Sequence, residues 1–325
     1  MKMQDLTEQW LSKLRKRVEL GKLKPASLAT FTSRTNTWIL PRLGQLEVEA
    51  IRNGVVKSFA ESLATAKLGP KTIREVVAVV KMILESHVNA DGEPLLTLSW
   101  NHDFVFQDIP NVGKQHQPAA TKNQINAVLK NKQVKARDKV LITLAASTGL
   151  RVGEILALRV GGSWKNDGVI RVTQSIWKGK TQLPKTASSL REINLAPSTN
   201  AMLAEFTADM PQGAFIFATR TGKPLDAAHI RKYILKPTGI PGMHSLRRYR
   251  ATFLREKNVP YELIQAWLGH ARGQDVTERY SKLDEDQELR TAWAERVGTG
   301  LDLSLATKSQ MGKVGHPARQ SQNNH

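Results

Sequence analysis

STGLRVGEILAL, residues 147–158, is the stretch from which the rest of the chain is most easily read. Just upstream, Val140 to Ser147 is an apolar run of helical length, and Gly149 is a natural stop for it. Arg151 then stands at the start of a new segment, with Glu154 three residues on, close enough to orient the guanidinium by a hydrogen bond. An arginine in this position is an ordinary surface side chain or a phosphate clamp, and the stretch alone does not choose. Working back, Thr121 can cap a helix running through Leu129. Working forward, the period changes. Val169, Arg171 and Thr173 alternate with Ile170, Val172 and Gln174, and Ile193 with Leu195 forms a second short run, so a small antiparallel sheet is expected inside an otherwise helical region.

Four further clusters carry chemically useful side chains: PKTASSLREINL at 184–195, HSLRR at 244–248, LGH at 268–270 and TERY at 277–280. His244 and Arg247 are three residues apart, so on a helix both converge on one point, such as a phosphate oxygen; a solvated basic face is the alternative, since Arg248 and Arg250 follow. His270 after Leu268-Gly269 has the form of a helix C-terminus, where a histidine often only caps carbonyls. Tyr280 is one of four tyrosines. A phenol of pKa about 10 attacks poorly unless a base or cations favour the phenolate. Arg151, Arg247, His244 and His270 are the candidates to supply them.

The N-terminal third reads as four helices. The first carries Leu6, Trp10 and Leu14 on one face, and the second follows Pro25 with Ser27 as cap, carries Leu28, Phe31 and Trp38, and ends near Pro41 and Gly44. The third covers Val55 to Ala64, and the fourth opens on Gly69-Pro70 and runs through Ile73, Val76, Val77, Val80 and Ile83. The period then lapses, giving an expected division into a helical domain over 1–105, a linker over 106–120 and a second domain over 121–300. The tail, 301–325, is polar and basic and is expected to be disordered or to touch a polyanion.

Composition bounds the function. Lys and Arg number 48 against 29 Asp and Glu, a formal net charge of +19, which points to a polyanionic partner, nucleic acid first. The chain has no cysteine, which excludes disulfides, thiolate nucleophiles and zinc-thiolate sites and fits a reducing, cytoplasmic interior. No run is long enough to span a bilayer, so no membrane role is expected. Neither carboxylates nor histidines cluster at metal-ligand spacing, and no Walker-type loop is present.

Taken in order, the clusters make the chain resemble the tyrosine recombinase (phage integrase) family. The matches are S-T-G-L-R-x-G-E-I-L-A-L around Arg151, K-T-x-x-S-x-R before the second strand, His-x-x-Arg at 244–247, and L-G-H followed by T-x-x-Y. The N-terminal segments LKPASLATF, ILPRLGQLEVEAI and LGPKTIREV resemble the family's core-binding domain.

The resemblance implies a mainly α fold with a small antiparallel β-sheet, in which an N-terminal helical, SAM-like core-binding bundle precedes an α+β catalytic domain. It implies site-specific cleavage and rejoining of double-stranded DNA for integration or excision of a mobile element, with no cofactor or metal. Tyr280 is then the nucleophile, with Arg151, Lys185, His244, Arg247 and His270 as catalytic residues and Glu154 in support. Among Lys178, Lys180 and Lys185, the K-T-x-x-S-x-R match selects Lys185 as catalytic and leaves Lys178 and Lys180 as DNA contacts, joined by Arg248, Lys71, Thr72 and Arg74. The apolar stripe of Leu289, Trp293 and Val297 on a C-terminal helix can pack on its own domain; the resemblance instead implies that it docks on a neighbour, in a homotetramer on two DNA sites. An additional N-terminal arm-binding domain is not expected. The rival expectations are type IB topoisomerase-like strand relaxation, a catalytically silent DNA binder, and a basic structural protein of chromatin or ribosome.

Overall fold

The computed structural model describes residues 1–303 except 97–98, 112, 114–116, 184–188 and 271–284. The chain divides into two units, residues 1–116 and 117–325.

In the first unit, α1 (Met3–Glu19) buries Met3, Leu6, Trp10, Leu11 and Leu14, the apolar stripe expected from the spacing. α2 (Pro25–Arg34) starts with Pro25 in its first turn, where a missing N–H costs nothing, and its N-cap is Lys24. Ser27 is therefore inside the helix and caps nothing; its own N–H donates to Lys24 O. α2 passes through a π-turn, Thr35–Ile39, into α3 (Leu40–Leu43). The π-turn sits directly upstream of Pro41, whose ring is incompatible with regular helical bonding to the preceding turn. α4 (Asn53–Thr65) and α5 (Pro70–Glu85) complete the bundle, and α5 buries Ile73, Val76, Val77, Val80 and Ile83 as its periodicity demands. α6 (His102–Val105) follows, capped by the Asn101 side chain. Val105 and Ile109 enter this core, Lys57 pairs with Asp108 at 2.8 Å, and Arg74 donates to Pro110 O at 3.0 Å, so 102–110 packs on the first bundle.

The second unit opens on α7 (Lys122–Lys130), closed by a capping box in which the Thr121 hydroxyl accepts from Gln124 N–H and Gln124 Oε1 accepts from Thr121 N–H. α8 (Ala136–Thr148) begins four residues before the expected Val140. It is buried on every side, Asp138 and Lys139 included, so it is the central post of this unit. It ends at Gly149, left-handed at φ 69°, and α9 (Val152–Leu156) follows at once.

Strands β1 (Val169–Val172) and β4 (Arg191–Asn194) pair antiparallel with Ile170 opposite Ile193, both buried. Between them β2 (Ser175–Trp177) and β3 (Lys180–Gln182) form a hairpin. Its two-residue turn has positive φ at both Lys178 (47°) and Gly179 (74°), the type I′ geometry that matches strand twist. Helices then dominate: α10 (Pro197–Thr207), α11 (Ala227–His229) with its π continuation, α12 (Met243–Glu256), α13 (Tyr261–Leu268) and α14 (Gln287–Val297). α7, α10 and α12 all pack on α8. The mainly helical architecture with small antiparallel sheets is the expected one. Among the described residues no helix is long and apolar enough to cross a membrane.

α14 departs from the expected stripe. It lies against its own unit, with Ala294 and Val297 in the core and Arg290 buried. Arg290 donates to Asn194 Oδ1 at 2.9 Å and to Glu192 O at 2.6 Å. Leu289 and Trp293 are only half-buried. The buried face is thus turned about one residue from the expected Leu289, Trp293, Val297 stripe, because a buried arginine with oxygen partners is invisible to a count of apolar positions.

Candidate active site

The site is organised by the end of α13. Gly269 adopts the left-handed conformation at φ 63°, and the helix closes with His270 N–H donating to Gln265 O and Gly269 N–H to Ala266 O, a Schellman ending. Such an ending leaves the last carbonyls without partners inside the helix. Three arginines from three separate stretches supply them. Arg191 Nε donates to Trp267 O at 2.8 Å, Arg247 Nη2 to Leu268 O, and Arg151 Nη2 to Gly269 O at 3.2 Å.

Each arginine has a second anchor. Arg247, on α12, also donates to Gly149 O at 2.8 Å and is buried. Arg151 is the residue that caps α9: its N–H donates to Glu154 Oε2 and its Nη1 to Glu154 Oε1, both at 2.8 Å. Arg191, at the head of β4, grips the same carboxylate with a fork, Nη2 to Oε2 at 2.8 Å and Nη1 to Oε1 at 3.1 Å. The side chains of Glu154 and Arg191 are 4% and 5% exposed, whereas that of Arg151 is 39% exposed. His244 and His270 are exposed, so the accessible face of the cluster is made by these two imidazoles and Arg151, with Glu154, Arg191 and Arg247 behind.

Glycines permit the approach. A Cβ on Gly153 would lie 2.7 Å from Ile176 O, backbone that cannot give way, so α9 meets β2 because this position lacks a side chain; Gly149 is left-handed, and a Cβ there would push on the Leu268 side chain at 2.6 Å.

Electrostatics follow from this packing. Burial opposes ionisation of Glu154, yet the hydrogen bonds and charge of Arg191, followed by the Arg151 bonds, prevail and hold its carboxyl below the ordinary value. Burial, then the charges of Arg151 and Arg191, lowers Arg247 to about 10. His244 is lowered by desolvation, then by Arg248, Arg247 and Arg151. Desolvation likewise leads for His270, followed by Arg247, Arg151, Arg191 and His244. Both imidazoles are therefore neutral at neutral pH.

Arg151, Glu154, His244, Arg247 and His270 thus share one electrostatic neighbourhood. Lys178 and Lys180 lie on the β2–β3 hairpin, Lys178 with its ammonium 5.1 Å from the Trp177 ring. Lys185 and Tyr280 lie outside the described residues. Lys71 and Thr72 are exposed at the start of α5 in the first unit, while Arg74 stacks on Phe106 at 4.9 Å besides bonding Pro110. Arg248 is turned to the entry of the second unit, donating to Pro118 O at 3.2 Å and to the Gln117 side chain. Sequence reasoning passed over Arg191, although it is the last residue of the K-T-x-x-S-x-R match. Among the described residues no three His, Cys, Asp or Glu side chains are grouped to hold a metal ion.

Residues 119–287, about half of the chain, match the model of the phage integrase family. The chain belongs to that family. Its curated relatives include tyrosine recombinase XerD of Chlamydia pneumoniae, 31% identical over 68% of this chain and 74% of the relative. A XerC-like tyrosine recombinase of Caldanaerobacter subterraneus is 30% identical over 42% of this chain, and that match spans only 43% of the relative's length. Among solved structures, the Tn1549 transposon integrase in complex with a circular intermediate DNA superposes with a TM-score of 0.67 at 16% identity, covering 92% of this chain and all of the other. A lambda integrase tetramer bound to a Holliday junction superposes at 0.63 with 15% identity, over 88% of this chain and 81% of the other. The two likenesses in structure show the fold. Membership of the integrase family carries the activity class, site-specific breakage and rejoining of DNA strands, with DNA as the partner.

Proposed function

We propose that this integrase-family member recombines two specific double-stranded DNA sites, integrating or excising a mobile element, through a 3′-phosphotyrosyl intermediate at Tyr280. The observation that carries the reading is the gathering of Arg151, His244 and Arg247, and His270, drawn from three separate stretches, at the end of α13. The Tyr280 oxygen attacks the scissile phosphorus as the bond to the 5′ oxygen breaks. A 5′-hydroxyl from the partner strand then attacks the phosphotyrosyl ester and restores a phosphodiester, freeing the phenol. One phosphoester replaces another at each step, so no nucleotide triphosphate is consumed.

Arg151, on the accessible face, holds the non-bridging oxygens, and Arg247 behind it adds positive charge that stabilises the transition state, with His270 as a further donor. His244, neutral at working pH, accepts the tyrosine proton, and Lys185 protonates the leaving oxygen. Lys178 and Lys180 on the hairpin, with Lys71 and Thr72 on the first unit, contact the DNA backbone. Arg74 and Arg248 already bind carbonyls within their own units and serve first to shape those surfaces. The work is done in the cytoplasm by a tetramer on two sites. Because Ala294 and Val297 belong to the core of their own unit, an assembly test should spare α14 and remove only residues after 303.

The family match favours recombination over the strand-relaxing and silent-binder alternatives. The test is a nicked suicide duplex incubated with wild type and Tyr280→Phe. A denaturant-resistant adduct with wild type alone supports the nucleophile, and one that persists in Tyr280→Phe overturns it.

A further inference from the structure

We propose that Arg191 is a positioning residue of the recombination site, a clamp that holds the carboxylate aiming Arg151 at a fixed distance from the helix end that carries His270. The proposal deepens the function proposed above and rests on it. Arg191 does not itself present to the exposed face: its side chain is 5% exposed, behind Glu154 and the α13 terminus. All three of its nitrogens are committed. Nη1 and Nη2 take the two oxygens of Glu154, Nε takes Trp267 O, and Nη1 also reaches Ser189 O at 3.1 Å. One planar group therefore spans two elements that hold opposite sides of the site: α9, through Glu154 and so Arg151, and α13, through the carbonyl three residues before His270.

Two independent features fit a built clamp. Gly269 is pressed against Arg191: a Cβ there would lie 2.9 Å from Arg191 Cδ and 3.0 Å from its Nη1, and the position is left-handed as well. The helix end thus leaves out a side chain just where Arg191 passes beneath it. The clamp is also tied to the sheet. Arg191 heads β4, and three residues on Asn194 Oδ1 accepts from Trp267 Nε1 at 3.4 Å, so β4 grips the last turn of α13 at both its carbonyl and its indole. A fork of five N–H donors on three nitrogens in fixed geometry can bridge a carboxylate and a carbonyl at once, which a lysine ammonium, a single point of charge, does less well.

The test compares Arg191→Gln, Arg191→Lys, Arg151→Ala and the Arg191→Gln/Arg151→Ala double variant in full-length protein. Single-turnover adduct formation on the suicide duplex is measured alongside equilibrium DNA binding. Misplacing a reacting group by about 1 Å costs about 10²-fold in rate. Arg191→Gln should accordingly lose about 10²-fold in adduct rate while binding DNA within about threefold of wild type. Arg191→Lys should recover part of the rate.

Retained binding shows that a slow variant is folded. The decisive readout is the cycle: a residue that acts through Arg151 has little left to lose once Arg151 is gone, so Arg191→Gln should slow Arg151→Ala by less than about threefold. Losses that multiply across the cycle overturn the proposal, as does a wild-type rate in Arg191→Gln. If wild type forms no adduct on a duplex it binds specifically, the strand-cleavage reading fails and takes the clamp with it. An adduct in wild type and an undiminished one in Arg191→Gln defeats the clamp alone.

Discussion

Replacing Glu154 by Gln keeps the shape of the side chain and removes its charge. The carboxylate, 4% exposed, accepts four hydrogen bonds, from Arg151 N and Nη1 and from Arg191 Nη1 and Nη2. The amide must turn a donor toward one of those guanidiniums. Removing one partner of a buried ion pair costs about 3–5 kcal/mol. Here the low end applies, about 3 kcal/mol, since Arg191 keeps its two carbonyl partners and the half-exposed Arg151 regains water. In a unit of this size each kcal/mol moves the melting temperature by about 2–4 °C, so the expected fall is about 6–12 °C.

The pH dependence fixes the sign. The folded pKa of Glu154 lies below the ordinary 4.5, so its stabilisation is complete above the unfolded value and is lost as pH falls through the lower folded one. Calorimetric melting of wild type and variant should therefore show a constant gap from about pH 8 to about pH 5 that narrows below about pH 4.5. A gap under about 2 °C at neutral pH, or one that widens in acid, would refute the assignment of Glu154 as the ionised centre of the cluster.

Three other outcomes are expected. Gly269→Ala places a methyl in a left-handed position that costs about 1–2 kcal/mol and against Arg191, so adduct formation should fall while DNA binding persists; an unchanged rate contradicts the packing. Arg248 is the leading charge, after burial, that lowers His244, so Arg248→Gln should raise the His244 pKa toward 6.5 in an NMR titration, and no movement would show that the charge does not reach it. Lys71→Gln should weaken DNA binding alike for specific and random duplexes and reduce the salt slope by about one, whereas a sequence-selective loss would mark a base contact instead.

Much of the fold was legible because its signals are local. The α5 stripe from Ile73 to Ile83, the Thr121 box and the Gly269 helix end each depend on residues within a turn or two of one another. What escaped depends on distance. Arg191 meets Glu154 and Trp267 from 37 and 76 residues away, and no pattern in its own neighbourhood marks it as buried. The same blindness set the start of α8 late, because Asp138 and Lys139 read as surface residues and are buried. It also turned α14 toward its apolar positions when the residue that docks it is Arg290. The π-turn at Thr35–Ile39 and the placement of Pro25 ahead of Ser27 are departures of another kind, since both follow from proline chemistry outweighing a cap or a regular turn. Lys185 and Tyr280, named from their motifs, lie outside the described residues.

The way the three arginines are fastened bears on what the site can still attract. A carboxylate partner cancels a guanidinium's charge as it holds it, whereas a carbonyl is only a dipole and leaves the charge intact. Glu154 is the acid bonded to Arg151 and Arg191, Arg247 is bonded to no acid, and the three arginines take the rest of their bonds from the backbone carbonyls of Trp267, Ser189, Leu268, Gly269 and Gly149. The cluster is thus stiff and still strongly positive, with Arg247 protonated at neutral pH despite its burial. Stiffness and unspent charge seldom coincide, since immobilising a cation usually neutralises it. On the function proposed above, a pentacoordinate phosphate, which gathers negative charge as it forms, would meet here a field that neither has to reorient nor has to shed a counterion first.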